Sequence, residues 1–201
     1  MEVISNTLFW ISNGLLVPVI LLLLVFFLRA VLLILGFFNE FYQRKKILIA
    51  TDFINSSSRD QLVDGIEKLS EENHSRYIDS LKTLLKHSDN THFCERLVAN
   101  YEVDSAKELG NTRLLVKLGP MLGLMGTLIP MGPALVGLST GDIASMAYNM
   151  QVAFATTVVG MVIAAIGVVT TQVRQRWYAK EMNHLDYVEK MLCHETKQTA
   201  Q

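Results

Sequence analysis

Three threonines, Thr127, Thr156 and Thr157, put hydroxyl groups inside two long apolar stretches of the chain, and Gln151 adds a carboxamide. A hydroxyl both donates and accepts hydrogen bonds, so a ring of them could hold water or a passing ion. The same hydroxyl can instead bond back to a carbonyl of its own helix. Asp142 is the only acidic or basic residue between Leu118 and Thr171, and it falls in a turn. A proton path through these stretches would therefore need a carboxylate supplied by another chain.

The residues around the threonines are small. "LGPMLGLMGTLIPMGPALVGL", residues 118–138, holds five glycines and three prolines. At helical spacing Gly119, Gly123, Gly126, Pro130, Ala134 and Gly137 form one stripe, with Thr127 beside it. In the second stretch Ala153, Thr157, Gly160, Ala164, Gly167 and Thr171 do the same, with Thr156 adjacent. Small faces let two membrane helices approach closely, where van der Waals contact replaces the missing hydrophobic drive. Packing accounts less well for Pro130 and Pro133, which remove backbone donors and leave carbonyls that need a partner or a water-lined cavity. Pore lining and simple packing both fit these residues.

Three segments can position such groups in a bilayer. Half of the 201 residues are hydrophobic and the net charge is only -1, but the apolar residues gather in blocks. The first block, Leu8 to Phe38, would be about 45 Å long as one helix, against a hydrocarbon core of about 30 Å. It lacks the basic start and small-residue cleavage site of a signal peptide and reads as a retained anchor. Arg29 within it reads as a side chain reaching the inner interface rather than an intramembrane counter-ion. The second span is residues 114–138 and the third 147–171. The turn at 139–146 makes them antiparallel neighbours. Arg44, Lys45 and Lys46 follow the first span, Arg113 and Lys117 enter the second, and Arg174, Arg176 and Lys180 follow the third. The N-terminal tip and the turn carry no Lys or Arg. The positive-inside rule then places the N-terminus outside and the C-terminus inside. The expected fold is an all-α integral membrane protein with three transmembrane helices. Residues 1–38 hold the external tip and first helix, 39–113 a cytoplasmic helical domain, and 172–201 a cytoplasmic helix and tail.

Within 39–113, apolar residues recur at helical spacing at Leu62, Ile66 and Leu69 and again at Ile78, Leu81 and Leu85. "KHSDNTH" breaks the pattern before "FCERLVANYEVDSAKEL" resumes it. Cys94 and Cys193 fall in segments assigned to the cytoplasm, where thiols stay reduced. His87, His92 and Cys94, and Cys193 with His194, have irregular spacing for metal ligands, so no metal site is expected. No phosphate loop, nucleophile elbow or HExxH helix is present, and the reading is of a protein without enzymatic activity or cofactor. There is no basic excess for nucleic acid.

"GPMLGLMGT", Gly119 to Thr127, resembles the proline-x-x-Gly-Leu-x-Gly-Thr second-helix motif of the MotA/TolQ/ExbB proton-channel family, through Pro120, Gly123, Gly126 and Thr127. "QVAFATTVVG", Gln151 to Gly160, resembles the Glu-Ala-Leu-x-Ala-Thr-Ala segment of that family's third helix. The resemblance implies an ExbB/TolQ-like subunit in a bacterial or archaeal cytoplasmic (inner) membrane. It implies a homopentamer whose second and third helices line a pore around single-span partners of ExbD/TolR/MotB type, which bring the proton-carrying aspartate. Proton-motive force would then energise transport or another envelope process. Thr127 carries over as the second-helix pore threonine. Aligning the Ala-Thr pair selects Thr156 and sets Gln151 at the family's glutamate, whereas aligning the following glycine selects Thr157. Gln151 keeps hydrogen-bonding capacity without the charge. That departure and the prolines of "LIPMGPAL" mark a divergent subgroup. From other classes, a non-conducting membrane scaffold explains the same small faces by packing alone. A solute transporter is disfavoured, because one hairpin offers no internal repeat.

Overall fold

The computed structural model describes residues 2–51, 75–88 and 90–194. Four α-helices follow one another: α1 (Glu2–Thr51), α2 (Arg76–Lys86), α3 (Thr91–Thr140) and α4 (Ile143–Glu189), and a π-helical turn, Lys190–His194, ends the described chain. No strand occurs among the described residues. The helix expected around Leu62, Ile66 and Leu69 lies outside them. Three helices are long and apolar enough to cross a membrane, within Asn6–Tyr42, Thr91–Thr140 and Ile143–Cys193.

These helices are longer than the apolar stretches. Helix α3 runs 50 residues without interruption, so "FCERLVANYEVDSAKEL" and the second apolar stretch are one element. The charges of residues 95–117 do not end a helix, because Glu, Lys, Arg and Leu all keep good helix propensity. The break at "KHSDNTH" is real: α2 stops at Lys86, the His87 N–H bonds back to the Thr83 carbonyl at 3.2 Å, and α3 starts at Thr91. Ser75 caps α2 with its side chain accepting the Ile78 N–H at 3.4 Å.

The chain divides into two compact units. The first comprises Met1–Phe37 and Asn111–Thr171. Its core joins Val19, Leu23 and Ala30 of α1 to Leu115 and Leu122 of α3 and Ile163 of α4. Most large side chains here instead face outward, among them Leu21, Leu24, Leu28, Leu128, Leu135 and Val158. Such a surface suits hydrocarbon or other helices, not water.

The second unit comprises Phe38–Gly110 and Gln172–Gln201. Its core is a conventional apolar cluster. Tyr77, Ile78, Leu81 and Leu84 from α2 pack against Cys94, Val98 and Tyr101 of α3 and against Leu185, Val188, Leu192 and Cys193. The spacing of Ile78, Leu81 and Leu85 thus marks a face that packs inward: Ile78 and Leu81 are buried, and Leu85 packs at the edge.

Candidate ion-conducting hairpin

Helices α3 and α4 are joined by only Gly141 and Asp142. Gly141 takes φ +77°, a left-handed conformation that a side chain would strain. The Asp142 carboxylate accepts the Ser145 N–H at 3.0 Å and so caps α4. The reversal forces the two helices to run side by side.

They meet along the small-residue stripes. A Cβ on Gly126 would lie 2.6 Å from the Thr156 Oγ1, and one on Gly160 would lie 2.6 Å from the Gly119 carbonyl oxygen and 2.9 Å from the Gly123 Cα. Gly119 faces Gly160 and Ala164, while Gly137 faces Asp142 and Met146. Each step toward the turn on α3 is matched by an equal step on α4, which is a single antiparallel register. Pro130 and Ala134 are buried on the same face, and Pro120 is exposed on another.

The hydroxyls divide by environment. Thr156 is 6 % exposed, pressed against Gly126, and its Oγ1 donates to the Ala153 carbonyl at 2.9 Å. Thr157 is half-buried and donates to the same carbonyl at 3.2 Å. Thr127 is half-buried and donates to the Leu124 carbonyl at 2.7 Å. Gln151 is exposed. Bonding back to the helix satisfies each donor hydrogen and leaves the oxygen's lone pairs available to accept. A hydroxyl held this way can accept a bond from water or hydronium, or ligate a cation, without breaking its helix bond. Arg29, on α1, is exposed.

The second unit holds a polar network that sequence reasoning missed. Arg44 donates to Glu181 at 2.6 Å and to Glu40 at 3.2 Å, and Arg174 donates to the other Glu40 oxygen at 2.6 Å. The Tyr101 hydroxyl donates to Glu181 at 2.5 Å, the Tyr178 hydroxyl donates to Glu108, and Arg76 pairs with Glu108 at 2.7 Å. The Arg44 guanidinium also stacks on Trp177 and Tyr178, 5.3 and 4.8 Å from the ring centres. Burial alone would lower the Arg44 pKa, but Glu181, Tyr178 and Glu40 outweigh it, so the guanidinium holds its proton more tightly than usual. Burial pushes the Glu181 carboxyl above the ordinary carboxylate range, with Arg44 and the Tyr101 hydroxyl opposing. These groups surround a cavity of about 160 Å³. The available signal was helical offset: Glu40 with Arg44, Tyr101 with Glu108 and Tyr178 with Glu181 each share a helix face.

The expectation of two isolated cysteines is corrected. Cys94 and Cys193 are joined as a disulfide with their Cα atoms 6.8 Å apart. The two lie 99 residues apart in the chain, and only the return of α4 alongside α3 brings them together. Among the described residues no three His, Cys, Asp or Glu side chains converge as a metal site.

Residues 59–187, more than half of the chain, match the MotA/TolQ/ExbB proton channel family. The chain belongs to that family. The match spans α2, α3 and nearly all of α4, and with three membrane-capable helices it makes this MotA/TolQ/ExbB protein a multi-pass membrane protein. No curated protein and no solved structure matches it significantly.

Proposed function

We propose that this MotA/TolQ/ExbB protein is the stator subunit of a motor driven by the proton-motive force. In this reading it forms a homopentameric pore around the transmembrane helices of a single-span partner that supplies the membrane aspartate. It energises transport or another envelope process from the cytoplasmic membrane, with its N-terminus outside and residues 39–113 and 172–201 in the cytoplasm. The family match carries the reading. Two features of the hairpin support it: residues 118–171 hold no acid or base apart from Asp142, and hydroxyls recur on a scaffold of small residues.

In the proposed pathway Thr127 and Thr157, both half-buried, accept bonds from the moving ion or its water, and Gln151 offers its exposed carboxamide from another face of α4. Thr156 fills the space over Gly126 and fixes the register that aims its neighbour. The test is proton flux into vesicles that hold the chain with its coexpressed partner. Thr127→Ala combined with Thr157→Ala should cut flux at least tenfold, roughly the factor expected when about 1.4 kcal/mol of stabilisation is lost. Unchanged flux in that variant and in one also carrying Thr156→Ala would sink the proposal.

A second reading, a non-conducting scaffold, draws on one observation. Each of the three hydroxyls already has a partner in its own helix. That reading expects the threonine variants to be silent and a bulky residue at Gly123 or Gly160 to abolish assembly.

A further inference from the structure

The chain has only two cysteines, and the fold brings both to one point in the core of the second unit. Cys94 lies in the first turn of α3 and Cys193 in the terminal π-helical turn. Both are buried, at 0 % and 1 % exposure. Their bond closes a covalent ring made of α3, the Gly141 turn and α4, so the hairpin is tied at its open end as well as at its turn.

The surroundings suit both oxidation states. The His87 carbonyl lies 3.4 Å from the Cys94 sulfur, so a reduced thiol there has an acceptor for its hydrogen. The Thr91 hydroxyl donates to the Cys193 carbonyl at 3.1 Å, which holds the terminal turn in place without the disulfide. Cys94 lies in the first turn of α3, where its own N–H and that of Phe93 are bonded to Asn90. Cys193 lies in the π-helical turn Lys190–His194, packed beside Leu192 in the same core.

We propose that Cys94 and Cys193 form a reversible thiol–disulfide latch exchanging with small thiols of the glutathione class. When the terminal turn opens, a small-molecule thiolate attacks the Cys193 sulfur. The Cys94–Cys193 bond breaks, a mixed disulfide forms on Cys193, and the departing Cys94 sulfur takes up a proton, which it can donate in a hydrogen bond to the His87 carbonyl. A second small thiolate attacks the sulfur of the first and releases Cys193. The protein disulfide gains two electrons and, after protonation, two hydrogens, and two small thiols become one small disulfide. The physiological setting rests on the cytoplasmic placement proposed above, because only a reducing compartment keeps such a latch open at rest. The exchange itself does not depend on ion conduction.

The test uses the full chain in membranes of the expressing cells. Thiols are trapped by acid at rest and after exposure to oxidised and then reduced glutathione, and free thiols are counted after denaturation with a mass-shifting maleimide. Two tags per chain at rest, none after oxidised glutathione and two again after reduced glutathione are expected, with no glutathione mass retained on the oxidised wild type. Cys94→Ser and Cys193→Ser should each give one tag at rest and a glutathione adduct after oxidation. Two tags that persist in oxidised glutathione, or none in excess reduced glutathione, would overturn the latch. If the serine variants do not accumulate, thermal melting of the wild-type chain decides. The oxidised form should melt several degrees above the reduced form, and coincident melting overturns the proposal. Proton flux is not read, so failure here leaves the stator reading standing, and failure of that reading leaves the thiol counts interpretable.

Discussion

The two units of this protein join the same three long helices by opposite means. In the first, contact is made by removing side chains: Gly119, Gly123, Gly126 and Gly160 let α3 and α4 touch through backbone and the side chains of Thr156 and Ile163. In the second, contact is made by adding large polar groups, with Arg44, Glu40, Glu181, Tyr101 and Tyr178 bridging α1, α3 and α4. Under the membrane topology proposed above, solvent explains the difference. Lipid tails are as apolar as leucine, so helices in a bilayer gain nothing by hiding leucine from them and must gain from closeness. Where water is the alternative, burial of apolar area drives association, and a buried charge is tolerated only when paired.

Several substitutions would break or sharpen that contrast. The largest effect is expected from Gly160→Leu, because a Cβ there already meets the backbone of Gly119 and Gly123, which cannot give way. It should cost roughly 4 kcal/mol or more and abolish protease resistance of residues 111–171. Next, Glu181→Ala leaves the half-buried guanidinium of Arg44 with Glu40 as its remaining carboxylate and takes the acceptor from the Tyr101 hydroxyl. It should cost about 3 kcal/mol, read as early melting of the second unit. Tyr101→Phe removes one hydrogen bond to a carboxylate and should cost about 2 kcal/mol by the same measurement. A loss of protection confined to the first unit in either variant would erase the contrast.

The pH response should come from the second unit. Folding raises the Glu181 pKa above its ordinary 4.5, so between the two values the folded state holds more protons than the unfolded one. The stability from this group is full below 4.5 and is lost as pH rises through the folded value. The slope of stability against pH above 4.5 should therefore be flatter in Glu181→Gln than in the wild type, whatever the absolute levels; equal slopes would refute the assignment. The smallest effects belong to Gly14→Ala and Gly110→Ala, where no atom lies within 4 Å of an added Cβ. Each should stabilise the chain by roughly 0.5–1 kcal/mol through helix propensity alone. Destabilisation by Gly14→Ala in assembled membranes would show that another chain covers that face.

Much of the first unit was legible because its signals are local. Apolar runs of bilayer length mark the helices, and a glycine at every third or fourth position marks the face that touches a neighbour. The family was legible from Gly119 to Thr127 and from Gln151 to Gly160. The second unit was harder to read because its logic is long-range. Glu40, Arg44 and Glu181 look like ordinary surface charges until α1 and α4 meet. Residues 91–113 look like a separate domain helix, since charges interrupt the apolar pattern without interrupting the helix. The meeting of Cys94 and Cys193 depends on the hairpin's full length, which no local spacing encodes.

The glycine register also has a mechanical consequence. Contacts from Gly119 to Gly137 extend over about 27 Å of helix, and each depends on a carbonyl or small group facing a missing side chain. Sliding α4 along α3 by one residue would drive side chains into backbone at every contact at once. The hairpin is therefore stiff against shear and behaves as a single stave: a push on one of its helices moves both.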